Sequence, residues 1–180
     1  MIILLTGTPG TGKTTVSRLF SKKYGFRKIS INDIATSEVC EGVEKGSRLV
    51  NIEKLSDKIS QIVSGDAIIE GHLSHYLPYG DIVIVLRTRP DVLEKRLIKK
   101  GFDKDKIAEN LEAEALDVCL IESIERHRKV YEIDTTKKKV PDVVADMKKI
   151  LEGRWEEFVP GKIDWSENFF DVKRNKKKVM

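Results

Sequence analysis

The junction between the apolar run Met1 to Leu5 and the stretch Gly7-Thr8-Pro9-Gly10-Thr11-Gly12-Lys13-Thr14 constrains this chain more than any other feature. A short continuous apolar run closed by Thr6-Gly7 reads as a strand over Ile2 to Leu5 buried on both faces, as in a parallel sheet. Thr14 to Tyr24 then places Val16, Leu19 and Phe20 at helical spacing, and Gly25 supplies a left-handed stop. Between the two, the residues fit G-x-x-x-x-G-K-[ST] in the setting that pattern needs, after a strand and at the opening of a helix. A merely tight strand-to-helix turn is the competing reading.

The residue types match phosphate chemistry. Glycines such as Gly10 and Gly12 let successive backbone N–H groups converge on phosphate oxygens, and the helix that starts there adds its positive dipole end. Lys13 is placed to neutralise β- and γ-phosphates, Thr14 to offer a hydroxyl to Mg²⁺, and Thr15 to meet the α-phosphate. The expected ligand is therefore magnesium-bound ATP.

Beyond the loop, strands alternate with helices. Phe26 to Ser30, Ala67 to Glu70, Ile82 to Leu86 and Val130 to Asp134 read as further strands. Ile52, Leu55, Ile59, Ile62 and Val63 mark one helix, and Pro90 with Gly101 brackets another. Ile107 to Tyr131 reads as one long helix, and Asp142 to Leu151 as the last. The polar stretch Ile31 to Gly46 reads as a mobile, short-helical insertion. This order predicts an α/β P-loop NTPase fold: a parallel sheet of about five strands with helices on both faces and ligands beyond the strands' carboxyl ends. One domain over residues 1–152 is followed by an aromatic, then basic, extension over 153–180, which either wraps back on the core or serves as a docking strip.

Composition excludes several classes. At 180 residues, with 40% hydrophobic and 34% charged residues, the chain is an ordinary globular domain. Five of its 33 basic residues, Lys173, Arg174 and Lys176 to Lys178, crowd the C-terminus; without them bases and the 29 acids nearly balance. That tail is either a polyanion contact or a solvated end. Cys40 and Cys119 form no metal or disulfide pattern, and the N-terminal run is too short for a signal peptide or membrane span. A cytoplasmic protein is expected, with no membrane partner and monomeric.

A phosphate loop does not name the reaction, so the second substrate must be sought elsewhere. Three stretches are candidates: the insertion from Ser30 to Glu53 as an acceptor site, against an ordinary surface loop; Ile69-Glu70-Gly71-His72 at a strand end; and a lid near Lys99 to Glu109. Glu70 beside the loop is suited to hold Mg²⁺ through water and, with His72 two residues on, to position a hydroxyl, a water or an acceptor phosphate; a satisfied structural histidine is the competing reading of His72. His75 reads as structural. Arg87, at a strand end, is a candidate phosphate clamp, and Lys99, Lys100, Lys104 and Lys106 supply the lid's cations.

The segments GTPGTGKTT, EGHLSHYLP, VLRTRPDVLEKRL and KKGFDKDKIAENLEAEAL together resemble the adenylate kinase isoenzyme 6 family, over about residues 1–151. The resemblance implies a small atypical adenylate kinase that also acts as an ATPase in small ribosomal subunit assembly and rRNA maturation. It implies ATP contacts from Gly10, Gly12, Lys13, Thr14, Thr15 and Lys100, and from a lysine near Lys138 or Lys139, taken as Lys139. It implies catalytic roles for Lys13, Glu70 and His72, AMP binding near residues 30–53, and as partners a ribosomal protein of the S11 family and small-subunit pre-rRNA. Lys100 stands where members of that family often carry arginine, and Glu70 where some carry aspartate in an Asp-x-His motif.

Two other readings stand beside the kinase: an assembly ATPase whose nucleotide state switches a ribosomal partner, and a small-metabolite kinase of the shikimate or gluconate type, which draws on Asp33 after the second strand.

Overall fold

In the computed structural model of the chain, residues 1–35, 39–44, 47–167 and 169 are described, with 43, 44, 47 and 48 as backbone only. The basic C-terminal cluster and Glu38 lie outside the described residues. Five strands form one parallel sheet in the order β2-β5-β1-β6-β7: β1 is Ile2–Thr6, β2 Arg27–Ser30, β5 Ala67–Glu70, β6 Ile82–Arg87 and β7 Val130–Asp134. The strand order reverses direction beside β1, and there, at the carboxyl ends, such sheets bind ligands.

Alternation along β1 explains why its apolar run is unbroken. Ile3 and Leu5 join a core with Phe20 of helix α1 (Lys13–Tyr24) and with Val144 and Met147 of α7 (Val140–Leu151). Leu4 points the other way, to Leu55 and Ile59 of α3 (Ile52–Ile62) and Leu120 of α6 (Val118–Arg126). Both sheet faces are thus covered, as a parallel sheet requires. A third cluster packs Leu93 and Leu97 of α4 (Pro90–Lys99) against Ile107 and Leu111 of α5 (Lys104–Ala115), with Phe169 of the C-terminal extension added to it. Phe158, in a short 3-10 turn Glu156–Phe158, enters the first core, so this part of the extension wraps back on the domain.

Two expectations need correction. The insertion holds, besides the short helix α2 (Ile31–Ile34), an antiparallel hairpin of β3 (Cys40–Glu44) and β4 (Ser47–Val50). The helix expected over Ile107 to Tyr131 starts earlier, at Lys104, and is two helices that part at Leu116 and Asp117. Buried Arg87 sits at the break: its Nη2 donates to the Glu114 carbonyl at 3.1 Å, the acceptor that a continuing helix would offer to Val118, and pairs with the Asp117 carboxylate. Asp117 answers with a left-handed backbone, φ 56°.

Candidate active site

The loop that joins β1 to α1 crosses the carboxyl end of the sheet. Gly7 has φ 130°, and a Cβ there would come within 2.4 Å of the Leu86 carbonyl oxygen, so the close approach to β6 requires glycine. Gly12, at φ 105°, is the N-cap of α1, which turns the chain into a helix without an acidic residue in its first turn. That leaves the helix's positive end uncompensated by the chain itself. The exposed hydroxyl-bearing residues Thr14 and Thr15 stand in this first turn.

Lys13 folds back across the loop, donating to the Gly7 carbonyl at 2.6 Å and the Thr8 carbonyl at 3.0 Å. Burial pulls its pKa down to about 8; Cys119, Glu70 and Glu114 raise it, whereas the Lys100 ammonium lowers it further. Lys100, exposed at the end of α4, is therefore close enough for its charge to be felt at Lys13. Lys139 is exposed at the start of α7, where its backbone N–H donates to Asp142, while Lys138 is engaged by Asp146 at 2.6 Å. The turn that leads to Lys139 abuts the loop, since Thr135 Oγ1 donates to the Thr11 carbonyl at 3.1 Å.

Glu70 ends β5 in register with Leu5 of β1, which brings its carboxylate beside the loop. It is 2% exposed, and its Oε2 accepts from Thr14 Oγ1 at 3.3 Å. Its Oε1 has no hydrogen-bond partner and lies 3.8 Å from Lys28 Nζ. An unsatisfied buried carboxylate oxygen is costly unless a ligand or water completes it. One hydroxyl and one carboxylate at a phosphate site suit Mg²⁺, which keeps most of its waters, and the described residues contain no cluster of three or more His, Cys, Asp or Glu that would hold a metal by protein ligands alone. Thr14 and Glu70 fit that ion.

His72 follows in the turn after β5. The residue is exposed to solvent, yet crowding by surrounding protein atoms, then Lys13 and His75, push its pKa down to about 4. It is a neutral imidazole at pH 7. His75 is buried between Thr6 Oγ1 at 2.7 Å and Glu122 Oε2 at 3.0 Å, a structural position.

Arg87 is not a phosphate clamp. Its guanidinium is 1% exposed and is taken up by Glu114, Asp117 and Glu132, with Nε to Glu114 Oε1 at 3.0 Å. Charge compensation, and not ligand binding, is what this strand-end arginine does. The same Glu114 accepts from Thr8 Oγ1 at 2.5 Å and from the Thr88 N–H at 2.9 Å, tying the loop to α5. Sequence reasoning missed Glu114, which sits 106 residues from Thr8; its only local sign was an acid at a helical position suited to burial.

Residues 3–117 match the family described as AAA domain. Across nearly the whole chain, relatives named "Putative adenylate kinase" are 38% identical in Thermococcus onnurineus, covering 96% of this chain and 95% of that protein, and 40% identical in Thermococcus gammatolerans, covering 96% and 97%. The chain belongs to this family. The fold of this AAA-domain family member is also similar to that of two solved structures at 18% identity. One is the YorR protein of Bacillus subtilis in complex with phosphorylated GDP, with TM-score 0.60 over 84% of this chain and 96% of that one. The other is shikimate kinase from Bacteroides thetaiotaomicron, with TM-score 0.58 over 84% and 98%. The fold is the α/β fold of P-loop NTPases.

Proposed function

We propose that this chain is a nucleoside-monophosphate kinase that transfers the γ-phosphoryl group of ATP to AMP, giving two ADP. The observation that carries the reading is the convergence, at one end of the sheet, of buried Lys13, the Thr14 hydroxyl and the half-satisfied Glu70 carboxylate, with the insertion on one side and the α4–α5 turn on the other. The relatives' shared name supports the same reaction.

In this mechanism Lys13 leaves the Gly7 and Thr8 carbonyls and moves onto the β- and γ-phosphates, whose charge keeps it protonated. Thr14, and Glu70 through water, would hold the Mg²⁺ that accompanies ATP, and that ion would supply further charge neutralisation. Gly10 and Gly12 bring main-chain N–H groups to the phosphates, Thr15 meets the α-phosphate, and Lys100 approaches from the α4–α5 turn, near residues 99–109, as the lid's cation. Lys139, exposed beyond the turn that Thr135 ties to the loop, is the further lysine assigned to ATP. The acceptor enters beside residues 30–53, and catalysis is by positioning and charge neutralisation. A coupled assay of ADP formation, with ATP alone and with each nucleoside monophosphate, tests this. AMP-dependent ADP formation is expected, and equal rates with every acceptor would overturn the adenylate assignment.

His72 favours a second activity in the same site. A neutral imidazole open to solvent near Lys13 can hold a water in line for ATP hydrolysis. On the resemblance to the isoenzyme 6 family, we extend the proposal to a cytoplasmic ATPase in small-subunit assembly, acting with an S11-family ribosomal protein and pre-rRNA. Capture of that ribosomal protein that depends on ATP against ADP is the expected result, and nucleotide-independent or absent capture would remove this second role.

A further inference from the structure

The acceptor region presents an electrostatic problem that the loop does not solve. From Ser30 to Glu53 the chain carries Asp33, Glu38, Glu41, Glu44 and Glu53 but only Lys45 and Arg48 as cations. By sequence the segment is thus net acidic, which makes a cation on the neighbouring scaffold the favoured partner for an incoming phosphomonoester. Lys28 is where such a cation would be needed. It lies on β2, the sheet-edge strand that leads into the insertion, two positions before Ser30, which is in register with Glu70. Its side chain runs forward along the strand to bring Nζ to 3.8 Å from Glu70 Oε1, at the sheet's carboxyl end.

That contact is an ion pair and not a hydrogen bond. Glu70 Oε1 is buried and has no hydrogen-bond partner, although the Lys28 ammonium is the neighbouring charge. The side chain of Lys28 is 25% exposed, against 2% for Glu70, so a ligand can reach it from the solvent side. An ammonium carries three donors, and at this separation none of them is spent on a hydrogen bond to Glu70. The opposite oxygen of the same carboxylate faces Thr14, so Lys28 flanks the metal-side carboxylate on the acceptor side.

We propose that Lys28 is the acceptor-side phosphate ligand: its ammonium binds the phosphate of the incoming nucleoside monophosphate at the ends of β2 and β5, and returns to Glu70 when the acceptor leaves. The inference rests on the kinase reading and adds to it the residue that selects an anionic acceptor. It also accounts for an ion pair left open at 3.8 Å, since a lysine closed onto Glu70 would have to break a charge-assisted hydrogen bond to engage substrate.

The test compares wild type, Lys28→Met and Lys28→Arg in steady-state kinetics with ATP and AMP varied separately, and by calorimetry with AMP and with adenosine. Lys28→Met should raise KM for AMP about tenfold or more, the scale of one charged phosphate contact, while KM for ATP moves less than about twofold. It should bring AMP affinity down towards that for adenosine and leave adenosine binding as it was; Lys28→Arg should recover most of the loss. Unchanged AMP binding and KM in Lys28→Met would overturn the proposal, and so would equal rises in both KM values, which would place Lys28 behind Glu70 and the metal. Wild type that binds AMP without turnover would sink the kinase reading alone, with the affinity comparison still deciding Lys28. Wild type that binds neither AMP nor any other nucleoside monophosphate would overturn both.

Discussion

Two residues carry the electrostatics of the site, and each has its own pH signature. Burial makes a proton on Lys13 less favourable in the folded chain than in the unfolded one, where its value is 10.5. Between about 8 and 10.5 the unfolded state therefore holds more protons, and the contribution of Lys13 to stability rises with pH across that window; its cost is fully present below about 8. Binding follows the opposite course, because phosphate needs the ammonium. We expect kcat/KM for ATP to fall as pH rises through about 8, a limb that Lys13→Ala removes along with nearly all activity; a flat profile from pH 7 to 9 would contradict the role given to Lys13. His72, held near 4, is already neutral at pH 7, so no limb near the ordinary histidine value of 6.5 should come from it. His72→Ala is expected to reduce ATP hydrolysis more than ATP affinity, as read by single-turnover hydrolysis and calorimetry; equal losses in both would remove its water-positioning role.

At the scale of elements, the strands, the phosphate loop and α4 were legible because each is specified locally. β1 and β6 are short apolar runs, and α4 is bracketed by Pro90 and Gly101. The hairpin of β3 and β4 was not, since Cys40-Glu41-Gly42-Val43-Glu44 has no apolar alternation that a strand reading could use. Nor was the break between α5 and α6. It is held by Arg87, 27 residues before Glu114 in sequence and in contact with it only after folding. Separation in sequence, 42 residues between Lys28 and Glu70, likewise hid that pair, and the 27 between Arg87 and Glu114 made Arg87 look like a clamp. Because Arg87 compensates buried Glu114 and Glu132, Arg87→Met should cost about 3–5 kcal/mol of stability in urea unfolding. A loss under about 1 kcal/mol would show that the buried carboxylates tolerate its removal.

Over the whole molecule, the segment after α7 ties distant parts together. Phe158 enters the core beneath α7, the N–H groups of Lys162 and Ile163 donate to buried Glu132 at 2.8 and 3.2 Å, and Phe169 completes the α4–α5 cluster. The extension thus packs on both the sheet and the helices that flank the proposed lid. Phe158→Ala should cost about 3–5 kcal/mol by thermal or urea unfolding, because a buried aromatic leaves a cavity that the sheet cannot close. An effect below about 1 kcal/mol would mean that the extension is peripheral to the fold.

The central claim, phosphoryl transfer between nucleotides, is read most directly by ³¹P NMR of ATP, AMP and Mg²⁺ incubated with the full chain. The account predicts that ATP and AMP signals fall together as ADP grows, and that Lys13→Ala abolishes the change. ADP that appears only with stoichiometric inorganic phosphate, at a rate indifferent to AMP, would contradict it.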